Sequence, residues 1–230
     1  MLPAETIQKN IKSVIHNIEL AEKKSGRASG SVRLLAVSKT FPPESVRAAA
    51  AAGQKLFAEN YVQESLPKMQ ELENLSLEWH FIGHLQTNKV KMVADRFALI
   101  HSVDRKKLAQ EISVRSKKTQ KILLEVNLAA ESSKSGCLPK DLPQLIEDVQ
   151  GLERIQLSGL MFMPPLNLSV DEQRQYFAKA AALRQSMTKY LSAGHDLSEL
   201  SMGTSHDYVQ AIAAGATIVR LGSIVFGERN

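Results

Sequence analysis

The chain has 230 residues, 43% of them hydrophobic and 23% charged, and a formal net charge of +5. That balance is ordinary for a soluble globular protein and gives enough chain for one substantial core. No apolar run reaches the length of a membrane span, and the opening MLPAETIQKN lacks the basic-then-apolar pattern of a signal peptide, so a cytoplasmic protein is expected. The single cysteine, Cys137, excludes an internal disulfide and reads as an incidental thiol.

Ile7, Ile11, Val14, Ile18 and Ala21 recur at helical spacing and predict an N-terminal amphipathic helix. It ends near KSGRASG, which reads as a flexible Gly/Ser link. RLLAVS (33–38) is then a strand, and the helix over 43–53 is opened by Pro43 and closed by Gly53. A strand at 54–59 precedes a helix over 61–72 that Pro67 interrupts. LEWHFIG (77–83) is the third strand, followed by a helix over 88–95. FALIHSV (97–103) is the fourth, followed by a helix for which Asp104 is a plausible N-cap. KILLEVNL (121–128) and a helix over 141–151 form the fifth unit.

RIQLSGLMF (154–162) is the sixth strand. Ser169 and Glu172 make a capping-box pattern before a helix that repeats Tyr176, Ala180, Leu183, Met187 and Tyr190 on one face. LSELSMG (197–203), HDYVQAIAAG (206–215) and TIVRLGS (217–223) complete the series. Some eight apolar strands alternating with amphipathic helices imply a parallel sheet covered by helices. The expected fold is therefore an α/β single (β/α)8 TIM barrel with an extra N-terminal helix, one domain over residues 1–230; a doubly wound open sheet is the alternative.

The basic residues are scattered, with RKK (105–107) and KK (117–118) on one helix face and its end. No zinc finger, RNA-binding aromatic signature or basic arm accompanies them, so no nucleic-acid partner is expected. A mildly positive surface suits a small phosphorylated ligand instead.

Barrels carry chemistry at the C-terminal ends of their strands and bind phosphate in the loops after strands seven and eight. Lys39 ends strand one, Asn60 follows strand two, His80 and Gly83 end strand three, and Asn127 ends strand five. SMGTSHD offers Gly203 and the hydroxyl of Ser205; RLGS offers Arg220, Gly222 and Ser223. Gly222 lets backbone N–H groups approach an anion, and a helix N-terminus adds partial positive charge.

Lys39 has two open readings: an amine nucleophile toward an aldehyde, such as that of pyridoxal phosphate or a phosphorylated sugar, or an ion pair with a carboxylate such as Glu59. Arg220 shares a strand face with Gly222 and needs an interior partner, either the ring nitrogen of pyridoxal phosphate or an acidic side chain. His80 and His84 do not make a convincing metal pair, because they lie on a strand and a loop. Lys134, in SSKSG after strand five, reads first as an exposed loop lysine and second as a cofactor contact.

LLAVSKT (34–40), FAENYVQE (57–64), WHFIGHLQTNK (79–89), SKSG (133–136), LSGLM (157–161), SMGTSHD (201–207) and VRLGSIVFG (219–227) together resemble the pyridoxal phosphate homeostasis protein family, which is related to the N-terminal domain of alanine racemase. The resemblance covers nearly the whole chain. It implies pyridoxal 5'-phosphate held on Lys39 as an internal aldimine, with Arg220 facing the ring nitrogen. It places Ser205, Gly222 and Ser223 on the phosphate and Asn60 beside the cofactor. It implies a role in vitamin B6 and amino-acid homeostasis without established turnover. Ala58, Thr204 and Ser223 depart from the glycine, methionine and threonine common in the family, which bears on affinity or exchange rate.

Two other functions compete: a racemase or decarboxylase using the same aldimine, and a lysine-dependent aldolase. Racemases and decarboxylases resembling this fold carry a further β-domain, and the chain ends soon after strand eight. A non-catalytic monomer is therefore expected, with PLP-dependent apoenzymes as candidate recipients of the cofactor.

Overall fold

A computed structural model of the chain describes residues 2–228. Eight parallel strands close into a barrel in sequence order. They are β1 (Arg33–Val37), β2 (Leu56–Glu59), β3 (Glu78–Phe81), β4 (Leu99–Val103), β5 (Gln120–Val126), β6 (Ile155–Phe162), β7 (Glu199–Ser201) and β8 (Ile218–Leu221). Closure is made by β1 against β8, with Arg33 opposite Ile218 and Leu35 opposite Arg220.

The helices α2 (Pro43–Ala51), α3 (Val62–Glu71), α4 (Val90–Val93), α5 (Lys106–Arg115), α6 (Leu142–Gln150), α7 (Val170–Met187), α8 (Tyr208–Ala213) and α9 (Ser223–Phe226) follow the strands in turn. Most strand positions are apolar on both faces because both faces are covered, the polar exceptions including Glu78 and His80 on β3 and Ser201 on β7. Outward residues such as Ala36, Phe57, Phe81 and Leu124 pack under the helices, while Leu35, Val37, Ala58, Leu99, Leu123, Met161 and Ile218 form a separate cluster inside the barrel.

The extra helix, α1 (Ala4–Lys24), buries the expected stripe of Ile7, Ile11, Val14, Ile18 and Ala21. It packs on α2, α8 and α9, so it spans the seam where the first and last units meet. Ile7, Ile11, Val14 and Ile18 each contribute roughly 1.5–3 kcal/mol of burial. The segment after α1 is fastened down, contrary to the reading of KSGRASG as a loose link. Arg27 donates to the carbonyls of Ile212 and Ala216, and the Glu22 carboxylate accepts from Val32 N–H at 2.7 Å and Gly30 N–H at 3.1 Å. A buried acceptor two turns back explains why the polar run does not hang free.

Other differences are local. α3 runs through Pro67, which costs the helix one hydrogen bond without ending it. Arg105 is the N-cap residue of α5, and the Asp104 carboxylate accepts from the Arg105 guanidinium instead of capping. The capping box of Ser169 and Glu172 forms as the pattern implies. Gly159 on β6 is required by close approach: a Cβ there would sit 2.0 Å from the Glu199 carbonyl oxygen of β7.

A polar column crosses the apolar interior. His80 Nε2 lies 2.8 Å from Glu78 Oε1, and His80 Nδ1 lies 3.0 Å from His101 Nε2. His101 Nδ1 lies 2.9 Å from Ser201 Oγ, which accepts from Arg220 Nη1 at 2.8 Å. Burial holds the His101 imidazole well below its usual range, with His80, Arg220 and Arg33 pushing the same way.

The unfolded chain therefore binds a proton near pH 6.5 that the folded chain refuses, so stability is full above that pH and falls below it by up to about 1.4 kcal/mol per pH unit. In urea titrations, the stability advantage of wild type over His101→Gln should shrink as the pH falls from neutral towards 5; a constant difference would contradict a buried neutral His101. Gly159→Ala should lower stability by about 3 kcal/mol or more, because two backbones must separate. An unchanged denaturation midpoint would refute the close approach.

Candidate functional site

At the C-terminal ends of the strands a cavity of about 330 Å³ is lined by Val37, Lys39, Ile82, Met163, Thr204, Ser205, His206, Arg220, Gly222, Ser223 and Glu228. Five of the six residues expected from sequence line it together: Lys39, Ser205, Arg220, Gly222 and Ser223. Asn60 lines a separate depression with Tyr61, His84 and Lys89. Its Oδ1 is buried with no hydrogen-bond partner among the described residues.

Lys39 lies two residues beyond the end of β1, half-buried on a turn. Thr40 follows at φ 67°, the left-handed region that a β-branched residue rarely enters. Such local strain, of order 1–3 kcal/mol, gathers at sites that need a set geometry. The turn is braced from behind. Ser38 Oγ donates to Glu59 Oε1 at 2.7 Å, and Lys68 Nζ of α3 reaches both Glu59 Oε1 at 2.7 Å and the Ser38 carbonyl at 2.8 Å. Glu59, the carboxylate considered for Lys39, is thus held by Lys68. Burial raises the Glu59 carboxyl above its ordinary range, against the pull of Lys68 and Ser38.

Arg220 enters from β8 with 3% of its surface exposed. Its acceptors are neutral: Ser201 Oγ, the Phe162 carbonyl at 2.9 Å and, more weakly, Met163 Sδ at 3.8 Å. Among the described residues no carboxylate makes an ion pair with it, so the internal salt bridge is not the arrangement found. Burial lowers its pKa to about 10, opposed by Asp207, Glu125 and Tyr176, so the guanidinium stays charged at neutral pH.

On the far wall, Ser205 Oγ accepts from Gly222 N–H at 3.3 Å and Ile224 N–H at 3.5 Å. These bonds are long, and a phosphate oxygen would satisfy the same donors better. The loop is shaped by Asp207, whose Oδ1 accepts from Thr204 N–H at 2.6 Å and Oγ1 at 3.0 Å. Gly203, at φ 94°, lets this turn pack on Ala211, whose Cβ would lie 2.7 Å from an added Cβ.

The remaining candidates fall elsewhere. Lys134 pairs with Glu131 at 2.7 Å and donates to the Pro164 carbonyl at 2.7 Å. His80 belongs to the interior column, and among the described residues no cluster could hold a metal ion. Burial raises the Cys137 thiol to about 12, which makes it an inert group at neutral pH.

Two features escape sequence reading. Lys68 is a buried cation, signalled only by its place in the series Val62, Ser65, Lys68, spaced three residues apart on one helix face. Glu125 shares the inward face of β5 with Leu123, and burial with nearby Asp104 raises it to about 7. Its cue was a charge inside an apolar strand.

Removing Lys68 leaves the Glu59 carboxylate buried and uncompensated beneath the Lys39 turn. Lys68→Ala should cost about 3 kcal/mol or more in chemical denaturation, and Lys68→Ala with Glu59→Gln should recover part of it. Equal stability of Lys68→Ala and wild type would show that the pair does not brace the turn.

The model for the alanine racemase N-terminal domain matches residues 10–230. The pyridoxal phosphate homeostasis protein of Aquifex aeolicus is 44% identical over 95% of this chain and 96% of its own. PipY of Synechococcus elongatus, solved with PLP bound, is 38% identical with a TM-score of 0.80, covering 91% of this chain and 98% of its own. Alanine racemase of Corynebacterium glutamicum, 13% identical, shares the barrel with a TM-score of 0.70 over 95% of this chain and 62% of its own. With an eight-stranded barrel and near-full-length identity of this order, the chain belongs to the pyridoxal phosphate homeostasis protein family.

Proposed function

We propose that the chain binds pyridoxal 5'-phosphate in this cavity through Lys39, and serves in the cytoplasm as a monomeric carrier in vitamin B6 and amino-acid homeostasis. The observation that carries the reading is the meeting of three chemistries in one cavity of suitable size: an amine, a permanently charged guanidinium, and paired N–H and hydroxyl donors. The PLP-bound structure of PipY and the names of the relatives support it.

When bound, the cofactor would supply an aldehyde, the group that the Lys39 amine is placed to hold. Ser205, Ser223 and the N–H groups of Gly222 and Ile224 would hold the phosphate. Val37, Ile82 and Met163 supply apolar walls for the ring. Arg220 would donate to the ring nitrogen and, as a donor-only group, keep a proton off it. Asn60, whose Oδ1 lacks a hydrogen-bond partner, would close the edge of the site.

A ring nitrogen kept unprotonated withdraws electrons weakly, which suits holding over turnover. Delivery to PLP-dependent apoenzymes is the corresponding use. No helix among the described residues is long and apolar enough to cross a membrane.

Purified protein titrated with pyridoxal phosphate should gain a visible absorption band that borohydride abolishes. Lys39→Ala should lack the band, and amino-acid racemisation should not exceed that of free cofactor. A colourless wild type would sink the binding claim, whereas rapid racemisation would replace the carrier with an enzyme.

A further inference from the structure

The interior column has one direction. Arginine only donates hydrogen bonds, so Ser201 Oγ accepts from Arg220 and turns its own proton to His101 Nδ1. His101 must then carry its proton on Nε2 and donate to His80 Nδ1. His80 in turn carries its proton on Nε2 and donates to Glu78 Oε1. A donor-only cation at one end and an acceptor carboxylate at the other thus set both imidazole tautomers. A second proton on His80 would reverse the His80–His101 bond and send two donors to Ser201.

The two ends lie at opposite mouths. Arg220 lines the C-terminal cavity. Glu78 begins β3, with 46% of its side chain exposed, and lines a separate cavity of about 280 Å³ at the N-terminal ends of the strands. The charged groups around the column there are Arg33 of β1, which pairs with Glu199 of β7, together with Lys121 of β5 and Asp196 before β7.

We propose that Ser201, His101, His80 and Glu78 are positioning residues for Arg220, through which the charge at the N-terminal mouth adjusts how tightly the C-terminal cavity keeps its cofactor. The inference rests on the reading of that cavity as a pyridoxal phosphate site. Ser201 and Phe162 hold two guanidinium nitrogens, so the column decides which N–H groups remain for the ring. Loss of the Ser201 hydroxyl frees Nη1 to turn. Loss of the Glu78 carboxylate leaves His80 Nε2–H without its acceptor and removes the bias on both tautomers. Glu78→Gln keeps an acceptor oxygen and should act more mildly than Glu78→Ala.

The test uses the cofactor-loaded protein and release of pyridoxal phosphate to an excess of trapping amine. Ser201→Ala and Glu78→Ala should each release cofactor faster than wild type, by about fivefold, and shift the pH at which the bound-cofactor band changes. Ser201→Thr should restore both. Imidazole ¹⁵N NMR of cofactor-free wild type should find His80 and His101 as Nε2–H tautomers at neutral pH. If wild type takes up no cofactor at Lys39, this inference falls with the functional reading. If it loads normally while Ser201→Ala and Glu78→Ala release at the wild-type rate, or either histidine is the Nδ1–H tautomer, this inference alone is overturned.

Discussion

A cation inside a barrel of apolar side chains has to be solvated by the protein itself, and Arg220 sets that demand here. The guanidinium is almost wholly buried and no described carboxylate pairs with it. Its charge is instead met by a hydroxyl, a carbonyl and a thioether, with Asp207, Glu125 and Tyr176 favouring it from further away. Neutral acceptors hold a guanidinium in place without consuming its charge. That leaves a strong donor facing the cavity, the property a ligand with a basic ring nitrogen can use.

The rest of the site follows from how a closed parallel barrel is built. Strand ends bring β1, β7 and β8 side by side, so Lys39, the Ser205 loop and Gly222 converge although they are distant in sequence. Helix α1 packs over the seam between the first and last units, the same seam that carries the cavity's two chemically active walls. Beneath the Lys39 turn, the buried Lys68–Glu59 pair is an expensive device for stability alone, since such pairs rarely repay their desolvation. Its value is in fixing Ser38, and with it the strained turn at Thr40.

The barrel was legible because its pattern is regular: apolar strands, turn residues and amphipathic helices repeat eight times. Lys39, Ser205, Arg220 and Gly222 were legible because strand ends can be located and their chemistry is unusual there. Asn60 was harder, since strand position does not say into which hollow a loop side chain turns. Of the column of Glu78, His80, His101 and Ser201, only a packed or hydrogen-bonded His80 was legible. Its members come from three strands, and only closure of the barrel at its particular register stacks them. Of the two helix N-caps read from sequence, the Ser169–Glu172 capping box formed, whereas Asp104 had a neighbouring arginine as a better partner than a backbone N–H.

A crystal structure of the protein loaded with pyridoxal phosphate tests the central claim most directly. Continuous density should run from Lys39 Nζ to the cofactor, with an Arg220 nitrogen about 2.9 Å from the ring nitrogen. Arg220 should still be bonded to Ser201, and the phosphate should lie on the N–H groups of Gly222 and Ile224. Cofactor joined to another lysine, or a ring nitrogen turned away from Arg220, would contradict it.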